Sequence, residues 1–272
     1  MGWSPLLGAA SRGHSECVEM LLQCNARVDV FDYEGRSALH LAADCGSMEV
    51  CKFLLEKNAF VNSKNKAGLT ALHFAAAKGY TELVDFLVTK SGAAIESLTI
   101  KKQTPLHLAA AAGQLSTCKT LIDLDAMVDW DDDLQQKPIH LAAQNDHTTV
   151  VKLFLQVRPS LVTSTVKDGN TLAHLAAKVF YPLKGCVYLT SYNSCQKGSV
   201  EVLKTMFEVD KLLVTNAVNR FNENTPLHLA TEGGHLEAVK LMLLNGVAPN
   251  DENKTGLTPV HLGLFNLSND IV

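Results

Sequence analysis

The sequence predicts an all-α solenoid of stacked helix-turn-helix units joined by β-hairpin loops. Three observations support this. A tetrapeptide that ends in histidine recurs along the chain, most copies are about 33 residues apart, and apolar residues with helical spacing follow each copy. One such unit cannot bury its own apolar face, so each unit needs neighbours.

The tetrapeptide repeat fixes the predicted domain organisation. Its copies are SALH at Ser37, TALH at Thr70, TPLH at Thr104, KPIH at Lys137, TLAH at Thr171, TPLH at Thr225 and TPVH at Thr258, with SPLL at Ser4 as an eighth. Successive copies are 33 or 34 residues apart, except for one step of 54 residues before Thr225. We therefore predict one array over residues 1–272. Its units start near residues 2, 35, 68, 102, 135, 169, 223 and 256, and both terminal units are expected to be incomplete.

Each tetrapeptide has the residues expected at the start of a helix. A threonine suits the N-cap because its hydroxyl can accept from a free amide of the first turn, and proline fits the first helical position, where no amide partner is needed. The residues predicted to form this structural motif are Thr70, His73, Thr104, Pro105, His107, Pro138, His140, Thr171, His174, Thr225, His228, Thr258 and His261.

A glycine nine residues after the tetrapeptide begins predicts a left-handed end to the first helix. These glycines are Gly13, Gly46, Gly79, Gly113 and Gly234. A second helix follows, with apolar residues 13, 14, 17 and 18 places after the tetrapeptide begins, which lie on one face. Cys17, Cys51 and Cys118 occupy such places and are predicted to be small core residues.

Composition excludes several classes of protein. The net charge is −4, from 24 basic and 28 acidic residues, and no basic run could follow a phosphate backbone, so nucleic acid is not an expected partner. No apolar stretch is long enough to span a membrane, and the first residues lack the features of a signal peptide. Seven isolated cysteines indicate reduced thiols and an intracellular location.

The histidines and acidic residues do not predict a catalytic or metal site. All ten histidines fall either at the end of a tetrapeptide or directly after the glycine position. No HExxH, GxSxG, P-loop or GxGxxG motif occurs, so we expect no enzyme activity, cofactor, metal or small-molecule substrate. The acidic run 129–133 is predicted to be a solvated hairpin tip; the alternative is a site for a cation or a basic partner.

Seven TPLH-like tetrapeptides at one period resemble the ankyrin repeat. In that family the tetrapeptide histidine usually bonds to its own threonine and to nearby backbone. Longer stretches, such as LQQKPIHLAAQND at 134–146 and NENTPLHLATEGGHLEAVKLML at 222–243, resemble the TRPN family of NompC-type mechanosensitive TRP cation channels. Resemblance to TRPN covers residues 2 to about 262, within the cytoplasmic ankyrin array of those channels.

The TRPN resemblance implies a non-catalytic tether. In that family the array links the channel to microtubules and transmits force to the gate, at the cytoplasmic face of the plasma membrane. This chain contains no channel portion, so membrane contact is implied only through a part that the sequence lacks. The alternative is a soluble ankyrin-repeat adaptor in the cytoplasm, which binds a protein partner through its concave face and hairpin tips.

The 54-residue step contains a predicted insertion at residues 179–196. Removing these residues brings Gly198 into the glycine position and aligns Val202, Leu203 and Met206 with the apolar face of the next helix. Such an insertion at a helix-turn-helix corner costs only modest loop entropy. Residues 179–196 are interpreted either as a retained short intron or as a binding loop.

Overall fold

The computed structural model describes residues 3–178 and 200–269. The chain divides into two compact units, Met1–Asp133 and Leu134–Val272. The predicted insertion at 179–196, together with Gly198, lies outside the described residues.

In the first unit, short helices come in pairs. They are α1 (Pro5–Ser11) with α2 (Ser15–Gln23), α3 (Ala38–Cys45) with α4 (Met48–Glu56), α5 (Ala71–Lys78) with α6 (Thr81–Thr89), and α7 (Pro105–Ala111) with α8 (Leu115–Asp123). The first helices of successive pairs pack against one another, α1 on α3, α3 on α5 and α5 on α7. Each pair therefore buries its apolar residues against its neighbours.

The second unit continues the same pattern with additional short helices. Its elements are α9 (Pro138–Gln144), α10 (Thr148–Val157), a 3-10 helix (Pro159–Thr163), α11 (Leu172–Lys178), α12 (described over 200–209), α13 (Lys211–Thr215), α14 (Pro226–Glu232), α15 (Leu236–Leu244) and α16 (Pro259–Asn269). Again the first helices pack in series, α9 on α11, α11 on α14 and α14 on α16. In the part of the chain that the structure describes, no helix has both the length and the apolarity to cross a membrane.

Most of the core consists of residues at the predicted spacings. Small side chains such as Ala42, Ala43, Ala75 and Ala76 are buried between first helices, where they allow a close approach. In α10 all four predicted apolar places are buried, at Val150, Val151, Phe154 and Leu155. The fourth place is only half-buried in α4, α6 and α8, at Leu55, Val88 and Ile122. Beyond the undescribed segment, Val202, Leu203 and Met206 are also buried. The all-α repeat fold is confirmed.

The predicted glycines lie at the ends of first helices. Gly46 and Gly79 are the C-cap residues of α3 and α5, with φ of 76° and 81°, in the left-handed region that costs glycine least. Gly113 and Gly234 come one residue after the cap and have φ of 71° and 69°. The chain thus reverses at each of these positions and enters the second helix.

The loops between pairs are tight turns and not extended hairpins. In the described residues, strand-like pairing is limited to the isolated bridges Phe31–Ser37 and Thr165–Thr171. An aspartate or asparagine side chain closes several turns. For example, Asn65 Oδ1 accepts from Ala67 N–H at 3.0 Å and from Leu69 N–H at 2.8 Å. The expected β-hairpins are therefore reduced to hydrogen-bonded turns.

Neighbouring turns of the first unit are joined through their backbones. Lys66 N–H donates to Glu34 O at 2.9 Å, and Ile100 N–H donates to Ala67 O at 3.0 Å. This close approach requires glycine at Gly68, where φ is +78° and a Cβ would lie 2.8 Å from Ile100 N. The turn tips of one unit therefore form a connected edge.

The prediction that Cys17 is a core residue is wrong. Cys17 is exposed, whereas Cys51 and Cys118 are fully buried. Cys17 occupies the same place in its repeat as Val50, which is buried where α4 packs on α2. This place faces the preceding helix pair, and no helix in the described residues lies against that side of α2.

The acidic run is only partly solvated, so the prediction is wrong at Asp132. Asp131 and Asp133 are exposed, but Asp132 is only 5% exposed. Its Oδ2 accepts from Gln103 Nε2 at 3.2 Å. Asp132 belongs to the group of turn residues that includes Asn65, and this place in the repeat lies against the neighbouring turn.

Candidate functional site

The tetrapeptide histidines share one local contact. The backbone N–H of Thr70 donates to His73 Nδ1 at 3.1 Å, and the Thr70 hydroxyl oxygen lies 2.9 Å from the same nitrogen. An amide N–H can only donate, so Nδ1 is the acceptor and the ring proton is on Nε2. The amide–Nδ1 contact recurs at 2.9–3.2 Å in Ser37–His40, Thr104–His107, Lys137–His140, Thr171–His174, Thr225–His228 and Thr258–His261.

The opposite ring nitrogen reaches the next loop. His73 Nε2 lies 3.1 Å from Gln103 O, which places a donor against the carbonyl just before the following tetrapeptide. His40, His174 and His228 make the same contact at 3.0, 2.7 and 3.0 Å. Each of these rings therefore links the start of its own helix to the loop of the next helix pair.

Two histidines depart from this arrangement. The N-cap residue of the helix that contains His140 is Lys137, which has no hydroxyl, and His140 Nε2 lies 2.8 Å from Ser164 Oγ. Ser164 Oγ donates to Leu161 O at 2.6 Å, which leaves its lone pairs free to accept from the ring. His261 keeps the local contact with Thr258 but is exposed.

Motif threonines and prolines lie at the N-terminal ends of their helices. Thr104 is the N-cap of α7, and its Oγ1 accepts from His107 N–H at 3.4 Å. Pro105, Pro138 and Pro226 occupy the first turn of their helices. The hydroxyl contact to the histidine ring is shorter than this capping bond, so the ring is the closer partner of the threonine side chain.

Burial favours the neutral ring in His40, His73 and His174. It lowers the pKa of His73 and of His174 to about 4, mainly because the charged ring would lose its hydration, and it also lowers the pKa of His40. A proton on Nδ1 would also remove the acceptor for the threonine amide. In His73 both ring nitrogens are already occupied, so the ring does not offer a lone pair to a metal.

Outside the tetrapeptides, the described residues include few groups that could react with a ligand or bind a metal. Burial raises the pKa of Cys51 and of Cys118 to about 12, because the thiolate would lose its hydration, so both thiols stay protonated and unreactive. Cys24 and Cys45 are exposed. Over residues 3–178 and 200–269, no group of three or more His, Cys, Asp or Glu side chains is arranged to hold a metal ion.

A polar contact between neighbouring loops is not predicted by the repeat pattern. Asn62 Oδ1 accepts from Ala94 N–H at 2.8 Å, and Glu96 Oε1 accepts from Met127 N–H at 2.7 Å. Both side chains lie eight residues before their tetrapeptides. A recurring polar residue at this place, as in Asp29, Asn62 and Glu96, is the signal that could have indicated it.

The motif and its stacking agree with a family model. A model described as ankyrin repeats (3 copies) matches residues 1–65, 59–132 and 190–272, which together cover more than half of the chain. The chain belongs to the ankyrin-repeat family. The buried threonine–histidine contacts of this ankyrin-repeat chain therefore lie within a repeat type that other proteins share.

Several curated proteins are similar to parts of this ankyrin-repeat chain. Rabankyrin-5 of Mus musculus is 28% identical over 172 residues, which covers 56% of this chain and 14% of that protein. Transient receptor potential cation channel subfamily A member 1 of Homo sapiens is 28% identical over 166 residues, with 53% and 15% covered. Neurogenic locus notch homolog protein 1 of Mus musculus is 32% identical over 172 residues, with 63% and 6% covered. The chain thus spans only a small part of each relative.

Proposed function

We propose that this chain is a non-catalytic scaffold for protein interaction, and that it forms part of the cytoplasmic, force-transmitting tether of a TRPN-type mechanosensitive cation channel. The observation that carries the proposal is the series of buried links between successive helix pairs. His40 and His73 each bond to the loop of the next pair, and backbone bonds such as Ile100 N–H to Ala67 O join the turn tips. Load applied to one pair of a unit therefore passes to the next.

The mechanical argument follows from the repeat architecture. Each helix pair contacts chiefly its neighbours, so strain is distributed along a unit and is not concentrated in one interface. The motif histidines are structural in this proposal: their rings connect pairs and take no part in chemistry. A microtubule contact belongs to the full array of the TRPN family, and we assign none to individual residues here.

Sequence similarity supports the channel assignment. The stretches at 134–146 and 222–243 resemble the TRPN family, and one of the relatives is a transient receptor potential cation channel. Since this chain spans 15% of that relative, the channel itself would be encoded elsewhere in the same protein.

A soluble adaptor is the second candidate, and exposed apolar side chains on the loops favour it. Phe60 is 77% exposed and Ile100 is 73% exposed, both outside the helix packing. Such residues are typical anchors in protein interfaces. In this case the repeats would bind a partner directly and would carry no load to a gate.

Sequencing of the complete transcript tests the channel assignment. A tether requires the reading frame to continue into six apolar segments of about 20 residues each, the length that spans a bilayer. We expect those segments downstream of residue 272. A complete reading frame without them would contradict the tether and support the adaptor.

A further inference from the structure

In the first unit, a side chain of one loop bonds to the backbone of the next loop in two places. We call the space between two such loops a cleft, and we call it closed where this bond is made. Asn62 accepts from Ala94 N–H and also donates from Nδ2 to Gly92 O at 3.3 Å. Glu96 accepts from Met127 N–H. Ala94 and Met127 both lie ten residues before their tetrapeptides, so the same main-chain amide is satisfied in each cleft by a side-chain oxygen of the preceding loop.

The cleft between the first and second loops of this unit is open. Its register-equivalent side chain, Asp29, pairs with Arg27 of its own loop, with Arg27 Nη2 3.1 Å from Asp29 Oδ2 and Arg27 Nε 3.3 Å from Asp29 Oδ1. Phe60 N–H, the counterpart of the Ala94 and Met127 amides, has no acceptor within hydrogen-bond distance among the described residues. A bond that closes the two other clefts is therefore not made here.

A cavity marks the open cleft. It has a volume of about 250 Å³ and is lined by residues that include Asp29, Leu39 and Ala59. Phe31 and Phe60 also line it, and they are 50% and 77% exposed. Two aromatic residues, one of which carries the unused amide donor, thus line one small cavity together with apolar residues such as Leu39.

The second unit also has a cavity at the place where the side chain eight residues before the tetrapeptide bonds within its own segment. Thr163, eight residues before its tetrapeptide, donates its hydroxyl to Ser160 O at 3.0 Å within its own segment. A cavity of about 300 Å³ is lined there by Thr163, Ala173 and Val218, which are the register equivalents of Asp29, Leu39 and Ser63. Both cavities thus lie where the side chain at this place bonds within its own segment.

We propose that the Asp29 cleft is a docking site for an extended segment of a partner protein, which inserts one apolar side chain into the cavity and offers one backbone carbonyl to Phe60 N–H. The closed clefts show the required chemistry, because an oxygen acceptor occupies this position in both. The Asp29 carboxylate lines the same cavity as Phe60 and disfavours an anionic acceptor by like-charge repulsion, so a neutral carbonyl fits better. The inference deepens the proposed scaffold function and rests on it.

Small capped amino acids test this docking mode on the full chain. We would titrate the ¹⁵N-labelled protein with N-acetyl-leucine N-methylamide, which has an apolar side chain and two carbonyls, and follow the amide signals by NMR. We expect a saturable shift of the Phe60 amide at concentrations of about 1 to 50 mM, as suits so small a ligand. The amides of Ala94 and Met127 should not shift, because their clefts are closed.

Two comparisons make the test specific. N-acetyl-glycine N-methylamide has the same carbonyls without the side chain and should shift Phe60 far less. The double variant Arg27→Ala/Asp29→Asn removes the competing ion pair and provides an amide like that of Asn62, so it should close the cleft and weaken leucine-probe binding by at least about fivefold. The variant Lys240→Ala/Glu237→Gln removes an exposed ion pair of similar accessibility on α15 and should bind the probe like the wild type.

Three results would overturn the proposal: no Phe60 shift up to the highest concentration, equal shifts with the glycine and leucine probes, or an unchanged response in the Arg27→Ala/Asp29→Asn variant. None of these outcomes concerns the channel assignment, which depends on the transcript. Failure of the docking site and failure of the tether are therefore distinguishable.

Discussion

His73 and His261 have the same place in the tetrapeptide and make the same local contact, yet their surroundings differ. In both, the threonine N–H lies 3.1 Å from Nδ1. His73 is fully buried and bonds to Gln103 O of the next loop, whereas His261 is exposed. The tetrapeptide therefore determines the local geometry, while the neighbouring repeat determines burial and with it the contribution of the histidine to stability.

The largest expected loss of unfolding free energy concerns two leucines that occupy equivalent places in their repeats. Leu54 and Leu21 both lie 17 residues after their tetrapeptides begin, but Leu54 is fully buried where α4 packs on α2, and Leu21 is half-buried. We expect Leu54→Ala to lower the free energy of unfolding by about 2 to 5 kcal/mol. Leu21→Ala, the matched control, should cost less than half as much. Urea denaturation measures both, and equal losses would contradict the role given to the neighbouring repeat.

Much of the fold could be predicted from the sequence because the determining interactions are local. The histidine at the third helical position, the glycine at the helix end and the apolar spacing of the second helix are all properties of a single repeat. Cys17 could not be placed in this way. Its exposure depends on what lies against α2, and an apolar register alone does not contain that information.

The cleft contacts show a second limit of sequence reasoning. A polar residue recurs eight residues before the tetrapeptide, but its direction depends on competing partners. Asn62 reaches the next loop, whereas Asp29 bonds to Arg27 two residues away. Asp132 is similar, because its burial follows from a bond to Gln103 of the neighbouring turn. Side-chain direction in loops therefore needs the three-dimensional structure.

Acid tests the contribution of the buried histidines to stability. The pKa of His73 and of His174 is about 4 in the folded chain, below the value of about 6.5 expected when unfolded. The unfolded state therefore binds a proton first, so this stability is fully present above pH 6.5 and is lost as the pH falls through 4. Each ring should contribute a slope of about 1.4 kcal/mol per pH unit in that window, or about 3 kcal/mol in all.

The variant His73→Gln isolates this contribution from the carboxylates. It lacks the titrating ring, so its unfolding free energy should fall less steeply between pH 6.5 and 4, by about 1.4 kcal/mol per pH unit. Denaturant titrations at half-unit intervals of pH would measure the difference. Parallel curves for the variant and the wild type would show that the ring does not stay neutral through burial.

Removing the histidine ring tests the comparison of His73 with His261 directly. His73→Ala leaves Thr70 N–H and Gln103 O without their buried partner, so we expect a loss of roughly 1 to 3 kcal/mol in unfolding free energy. His261→Ala removes the same local contact at an exposed site and should change stability by less than about 0.5 kcal/mol. A comparable loss in both variants would assign the stabilisation to the local contact and not to the link between repeats.

The smallest effect is expected at the loop clefts, where Asn62 and Asp29 occupy equivalent places. Asn62→Ala removes two hydrogen bonds to the next loop at an exposed site, where water can replace them, so the loss should be about 0.5 to 1 kcal/mol. Asp29→Ala breaks only the Arg27 ion pair within one exposed loop, and its denaturation midpoint should match that of the wild type.

Amide hydrogen exchange distinguishes the two clefts further. Ala94 N–H should be protected in the wild type and should exchange faster in Asn62→Ala, because its acceptor is gone. Phe60 N–H should exchange rapidly in the wild type and in Asp29→Ala alike. If Phe60 N–H proves as protected as Ala94 N–H, the first cleft is closed, and the difference between the clefts on which the docking site depends does not exist.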